Sequence, residues 1–178
     1  MDYKKIEELA LSCGFSHVGK LDADTINLRE EVRDACADNK CHAYGKNWSC
    51  PPACGDLKDC EAIIRKYKNG LILQTKGELE DSFDFEEMMN LEKSHKKAIT
   101  KFVSEIKKNY PDSLVLGAGT CTTCKECTYP DEPCRFPEKR VSSMEAFGMV
   151  ITDVCQANHI PYYHGEGTLT YVGCVLID

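Results

Sequence analysis

The stretch CTTCKECTYPDEPC carries four cysteines in a spacing that could do metal chemistry. Cys121, Cys124 and Cys127 are separated by two residues each, and Cys134 follows after six more. Two-residue spacers let thiolates wrap a compact inorganic body, and the bacterial ferredoxin run for a [4Fe–4S] cube is C-x2-C-x2-C-x3-C-P. The first three positions match that run. The fourth departs, because Cys134 comes late and precedes Arg135 rather than proline. Zinc is the main rival. Structural zinc sites are usually built from paired C-x2-C units, and a triplet crowds three ligands between Cys121 and Cys127. The spacing favours a cluster over zinc, and either over free or redox-active thiols.

A second group lies upstream: Cys36, Cys41, Cys50, Cys54 and Cys60. Cys50 precedes Pro51, an echo of the C-P that follows a cluster ligand in ferredoxins. Five cysteines for four positions leave one spare, and spacing alone does not choose between Cys36 and Cys54. Cys54 and Cys60 flank an expected helix start at Asp56, where the partial positive charge of the helix end suits a thiolate or an anionic cluster. A second cluster, zinc, and reactive or buried thiols are the readings of this loop. In a further arrangement Cys50 completes the site of Cys121, Cys124 and Cys127 and frees Cys134, as the C-P cysteine ligates the other cluster in two-cluster ferredoxins.

The elements that must position these loops follow from periodicity and punctuation. Ile6, Leu9, Ala10 and Cys13 form a helical stripe ended by Gly14. FSHVGKLDA reads as a strand and NLREEVRDACAD as a helix. The first cysteine loop follows. Asp56 with Asp59 forms a capping-box pattern ahead of a helix in LKDCEAIIRKYKN. GLILQT is a buried strand, residues 84–109 a long charged helix, and DSLVLGAG a strand leading into the second cysteine loop. SSMEAFGMVITDVCQANH is expected as one helix capped at Ser142 or Ser143. PYYHG and TLTYVGCVLID are expected as strands, as a hairpin about Gly165 and Gly167. Alternating helices and strands predict an α/β or α+β fold, one sheet covered by helices, with cysteine loops at 36–60 and 121–134 in a single domain spanning 1–178.

Composition narrows the setting. The chain has 178 residues, 12 cysteines and a formal net charge of -7. A chain of this length carries a core without covalent staples, so the cysteines have another use. Basic residues are mixed with acids, as in NLEKSHKKAITKFVSEIKK, a solvated helix face rather than a nucleic-acid or membrane patch. No apolar run suggests a membrane span, and MDYKKIEELALSCGF has no apolar core of a signal peptide. A cytoplasmic setting is expected, where disulfides rarely persist and cysteine clusters point to metal or redox chemistry. No C-x3-C-x2-C, G-x-G-x-x-G or G-x4-G-K-[ST] motif occurs.

Other residues have bland readings beside functional ones. Cys13, Cys155 and Cys174 fit as buried small hydrophobes. Tyr44 and Trp48 could wall a cluster from water. His42 reads as a surface imidazole rather than a ligand. His159, His164 and Glu166 form a polar turn or an acid–base site. Arg135, Lys139 and Arg140 either offset the charge of a four-thiolate cluster or are solvated.

Taken together, YGKNWSCPPACG, LGAGTCTTCKECTYPDEPCRFP and SSMEAFGMVITDVC resemble a family of predicted metal-binding proteins found in anaerobic bacteria and archaea. The resemblance runs from about Cys36 to the C-terminus and implies metal or iron–sulfur binding by these cysteines, with no assigned reaction. The family's first motif has two cysteines ahead of Y-G-x-x-W-x-C-P-P. That carries over to Cys36, Cys41 and Cys50, and prefers Cys36 to Cys54 with Cys60 as fourth ligand. ALSCGFSHVGKLDAD is similar to the opening of epoxyqueuosine reductases, over too short a span to carry function. The function expected is an iron–sulfur protein with two [4Fe–4S] clusters exchanging electrons with a partner protein. The alternatives are an iron–sulfur enzyme with an open cluster site or an organic cofactor, with a pocket near Tyr162, Tyr163 and His164, and a zinc-stabilised binding module.

Overall fold

The computed structural model describes residues 2–178. Its centre is a five-stranded sheet in the order β1-β2-β5-β3-β4. The strands are β1 (His17–Asp22), β2 (Asn69–Glu78), β3 (Leu114–Gly117), β4 (Ser142–Ser143) and β5 (Thr168–Ile177). All neighbours are antiparallel except β3 and β4, which run parallel. Among the described residues five α-helices accompany the sheet: α1 (Tyr3–Cys13), α2 (Glu30–Ala37), α3 (Leu57–Ile64), α4 (Phe85–Ile106) and α5 (Ile151–Ala157), with α2 resting on the turn at 145–147. The fold is thus α+β, a mixed sheet covered by helices.

Strand alternation divides the core into two layers. Leu71 and Leu73 of β2, with Val175 and Ile177 of β5, face a cluster completed by Ile6 and Ala10 of α1 and Ile99, Phe102 and Ile106 of α4. Ile72, Val172, Cys174 and Leu176 point the other way, onto Cys60 and Ile64 of α3 and Val154 and Cys155 of α5. Both faces are dry, which is why β2 reads as the near-continuous apolar run LIL rather than as an alternation. Cys13, Cys155 and Cys174 are all buried in these layers.

The helix boundaries follow their caps. Gly14 takes φ 114° and ends α1. Asp56 and Asp59 exchange side-chain and backbone hydrogen bonds in the capping box that starts α3. Asp84 accepts from the Glu87 amide and starts α4.

Two expected elements are corrected. SSMEAFGMVITDVCQANH is not one helix. Ser142 and Ser143 join the sheet as β4, residues 145–147 form a 3-10 turn, and α5 begins only at Ile151. Gly148 is the cause: it sits at φ +87°, and a Cβ there would lie 2.5 Å from Leu57 Cδ1, so the chain reverses where a helix would continue. PYYHG is not a strand either. Residues 161–167 are a turn, and β5 pairs with β2 and β3 rather than forming a hairpin with that segment.

Candidate metal centre

The first cysteine loop joins α2 to α3 and the second joins β3 to β4. The first is held by its own polar groups. Asn39, at φ 53°, accepts from the Tyr44 amide at 3.0 Å and turns the chain back after Cys36. The buried Asn47 amide donates to the Ala43 carbonyl at 3.2 Å and accepts from the Ser49 hydroxyl at 2.6 Å. Buried polar groups satisfied in this way fix a loop in place without a core of its own.

Cys36, Cys41 and Cys50 line one cavity of about 220 Å³, together with Tyr44 and with Glu92 and Lys96 of α4. Cys54 stands beside them. Its thiol donates to the Ala146 carbonyl at 3.6 Å, while that of Cys36 donates to the adjacent Glu145 carbonyl at 4.0 Å. The 3-10 turn that replaces the expected helix is therefore the shelf on which Cys36 and Cys54 both rest. Cys60 lies behind Cys54, wholly buried in the core layer. The spacing ambiguity between Cys36 and Cys54 arose because both approach the same place from different segments.

Arg33, on the same face of α2 as Cys36, ties this group together. Its guanidinium donates to the Gly55 and Ala146 carbonyls at 2.7 Å each, and to the sulfurs of Cys54 at 3.8 Å and Cys60 at 3.6 Å. A hydrogen bond from Cys60, opposed by burial and assisted by Arg33, holds the Cys54 thiol down at about 7. The same hydrogen bond, with burial, pushes Cys60 up. Burial also pushes up Cys36 and Cys50. Arg33 escaped the sequence reading, although its R-x-x-C spacing from Cys36 puts the two on one helical face.

The second loop forms its own ring. Cys121, Cys124, Cys127 and Cys134 all line one cavity of about 130 Å³, with Lys125, Phe136 and Arg140. Cys50 is thus placed with the first group and Cys134 with the second. Arg140 faces this cavity, whereas Arg135 donates to the Glu126 carbonyl at 2.9 Å. The other wall comes from the first loop, through Asn47, Trp48 and Ser49. The Trp48 indole donates to the Glu132 carbonyl at 3.0 Å, and its ring meets Tyr129 edge to face at 4.9 Å.

Two crossing segments separate the cavities. Cys50 and Pro51 face the first and Ser49 the second; Gly119 and Thr120 face the first and Cys121 the second. All twelve cysteines are free thiols. Among the described residues no group of three or more His, Cys, Asp or Glu side chains is arranged to hold a metal ion; the sulfurs ring the two cavities without closing on a point.

A model of the family described as predicted metal-binding proteins, DUF2284, matches residues 19–177. The chain belongs to that family. No curated protein and no solved structure matches it. Metal binding by a DUF2284 protein accords with the chemistry of these two thiol sets. Among the described residues no helix is long and apolar enough to cross a membrane.

The remaining candidates lie outside the two rings. His42 is exposed at φ 59°. The pocket expected near Tyr162, Tyr163 and His164 is not beside a cysteine loop. Both tyrosines are exposed, and the His164 ring meets that of His17 at 5.0 Å, tilted by 51°, and its Nε2 lies 3.3 Å from Gln74 Oε1. Gln74 anchors that turn to β2 by donating to the Pro161 carbonyl at 2.8 Å. His159 and Glu166 are exposed.

Proposed function

We propose that the chain is an iron–sulfur protein that holds two [4Fe–4S] clusters and exchanges electrons with a partner. One ligand set is Cys36, Cys41, Cys50 and Cys54; the other is Cys121, Cys124, Cys127 and Cys134. The supporting observation is the pair of adjacent cavities, the first lined by three thiols with Cys54 close by and the second by four, divided by the Ser49–Cys50 and Thr120–Cys121 segments. Four thiolates around a cavity suit a polynuclear body, whereas zinc draws its sulfurs to about 2.3 Å from a single point. Clusters bound there would take up and release single electrons.

The protein's contribution is positional and electrostatic. Arg33 at the first site, and Lys125 and Arg140 at the second, bring positive charge to centres whose thiolates are negative. Trp48, backed edge to face by Tyr129, covers one side of the second cavity and limits water there. Iron and sulfide analysis of anaerobically purified protein should return about eight irons per chain; stoichiometric zinc without iron would reject the proposal in favour of a zinc-stabilised module.

A catalytic reading attaches to the first cavity. It is the larger of the two, and the Glu92–Lys96 ion pair at 2.6 Å lines it beside the exposed Cys41. Under that reading Cys41→Ser leaves the iron content intact, and a small carboxylate or phosphate shifts the spectrum of one centre only.

A further inference from the structure

The segment joining β2 to α4 exposes apolar side chains that no neighbour covers. Phe83 is 75% exposed, Phe85 64% and Met89 54%. The two phenyl rings meet edge to face at 6.4 Å. Large apolar side chains exposed together mark an interaction surface, whereas single ones are ordinary.

Their surroundings have one sign. Glu78, Glu80, Asp81, Asp84, Glu86 and Glu87 lie in this segment, and no Lys or Arg occurs between Gly77 and Glu92. Among the described residues none of these six carboxylates is in an ion pair. Asp84 is used locally, accepting from the Glu80 and Glu87 amides. Asp81 accepts from the Phe83 amide and Glu87 from the Asn90 side chain, which leaves their negative charge in place, and Glu78, Glu80 and Glu86 are available to a partner.

The patch also runs into the first thiol site. Phe85, Met89, Glu92 and Lys96 recur at helical spacing and share one face of α4. Glu92 and Lys96 line the first cavity. Met89 is three residues from Glu92, a rise of about 4.5 Å.

We infer that Phe83, Phe85 and Met89 form the docking surface for a redox partner whose contact face is apolar and ringed by Lys and Arg. The inference rests on the iron–sulfur reading and adds the partner's chemistry and its place of contact. Charge decides among occupants. A second copy of this chain would set six carboxylates against six. Nucleic acid and anionic membranes carry the same sign as the patch. A cationic protein is steered in by the net charge of -7 and completes the usual interface pattern, an apolar centre within a charged rim. Its contact lies on the helix that walls the first cavity.

The test places a photocrosslinking residue, p-benzoylphenylalanine, at position 85 of the full chain in its native host. The same residue at position 11, on α1, serves as control. The expected result is a crosslink from position 85 alone, to a protein identified by mass spectrometry as carrying a redox cofactor and a basic surface. Binding of that protein, purified, should weaken at least ~10-fold when Phe83→Ser, Phe85→Ser and Met89→Ser are combined, as for central interface anchors. These side chains are exposed, so the fold should survive, which circular dichroism verifies. A crosslink to a second copy, to a protein without a redox cofactor, or to nothing overturns the inference, as does unchanged binding by the triple variant. Metal analysis separates the two claims. Protein without iron that still crosslinks a basic redox protein retires the electron-transfer reading and keeps the surface; iron-loaded protein that crosslinks nothing does the reverse.

Discussion

The hydroxyl of Ser49 accepts the backbone amide of Cys121 at 3.1 Å. Ser49 is buried and directly precedes Cys50, so one side-chain hydrogen bond ties the first thiol loop to the backbone of the second. Ser49→Ala should leave the Cys121 amide unpartnered, at a cost of about 1–3 kcal/mol, while Asn47 Oδ1 keeps its bond from the residue-49 amide. Denaturant unfolding should show that loss, together with reduced metal occupancy. A variant with full stability and full metal content would show that the bond contributes nothing.

Substitution of single cysteines should separate ligands from neighbours. Cys54→Ala is expected to remove about half of the bound iron, one of two cubes. Cys60→Ala should keep the iron and cost about 1–2 kcal/mol of stability for a small void in the core layer. Metal analysis of the purified variants decides it. The reverse pattern would make Cys60 the ligand, as the family's motif spacing implied.

Arg33 should set the potential of the first centre. A guanidinium near the sulfurs of Cys54 and Cys60 stabilises the more negative, reduced state. Arg33→Gln is expected to lower one of two midpoint potentials in an anaerobic redox titration and leave the other in place. Equal movement of both, or of neither, would contradict this role.

His95 carries a separate prediction about pH. It is fully buried, its Nδ1 meets Thr75 Oγ1 at 2.9 Å, and its Nε2 has no partner among the described residues. Burial pulls it down to about 4. The unfolded imidazole takes its proton near the ordinary value of 6.5, so between those limits the unfolded state binds more protons. Stability is therefore full above about 6.5 and falls as pH drops toward 4, by about 3 kcal/mol from this group. Unfolding free energies at pH 7 and pH 4.5 should differ less in His95→Phe than in the natural chain. Identical pH slopes would remove the assignment.

Much of the scaffold was readable from local chemistry. The Asp56–Asp59 box, the Gly14 stop and the apolar run of β2 are short-range signals, and each element formed where its signal stood. Residues 142–159 misled because their apolar spacing is helical, while the outcome turned on a distant contact, Leu57 against Gly148. Grouping of the cysteines was legible in part. The second loop is local, and its four thiols share one cavity. The first set draws on α2, a long loop and the shelf at 145–147, so spacing could not rank Cys36 against Cys54. Arg33 and Ser49 act across more than twenty and seventy residues respectively, and no window on the sequence joins such positions.

Trp48 belongs to the first loop, yet it closes a side of the second cavity and reaches the Glu132 carbonyl. Each loop is thereby part of its neighbour's container. A group taken up in one cavity should therefore stiffen a wall of the other. Titration of the metal-free protein with iron and sulfide should accordingly show the second centre loading more readily once the first is in place, while a chain disabled at one centre still loads the other.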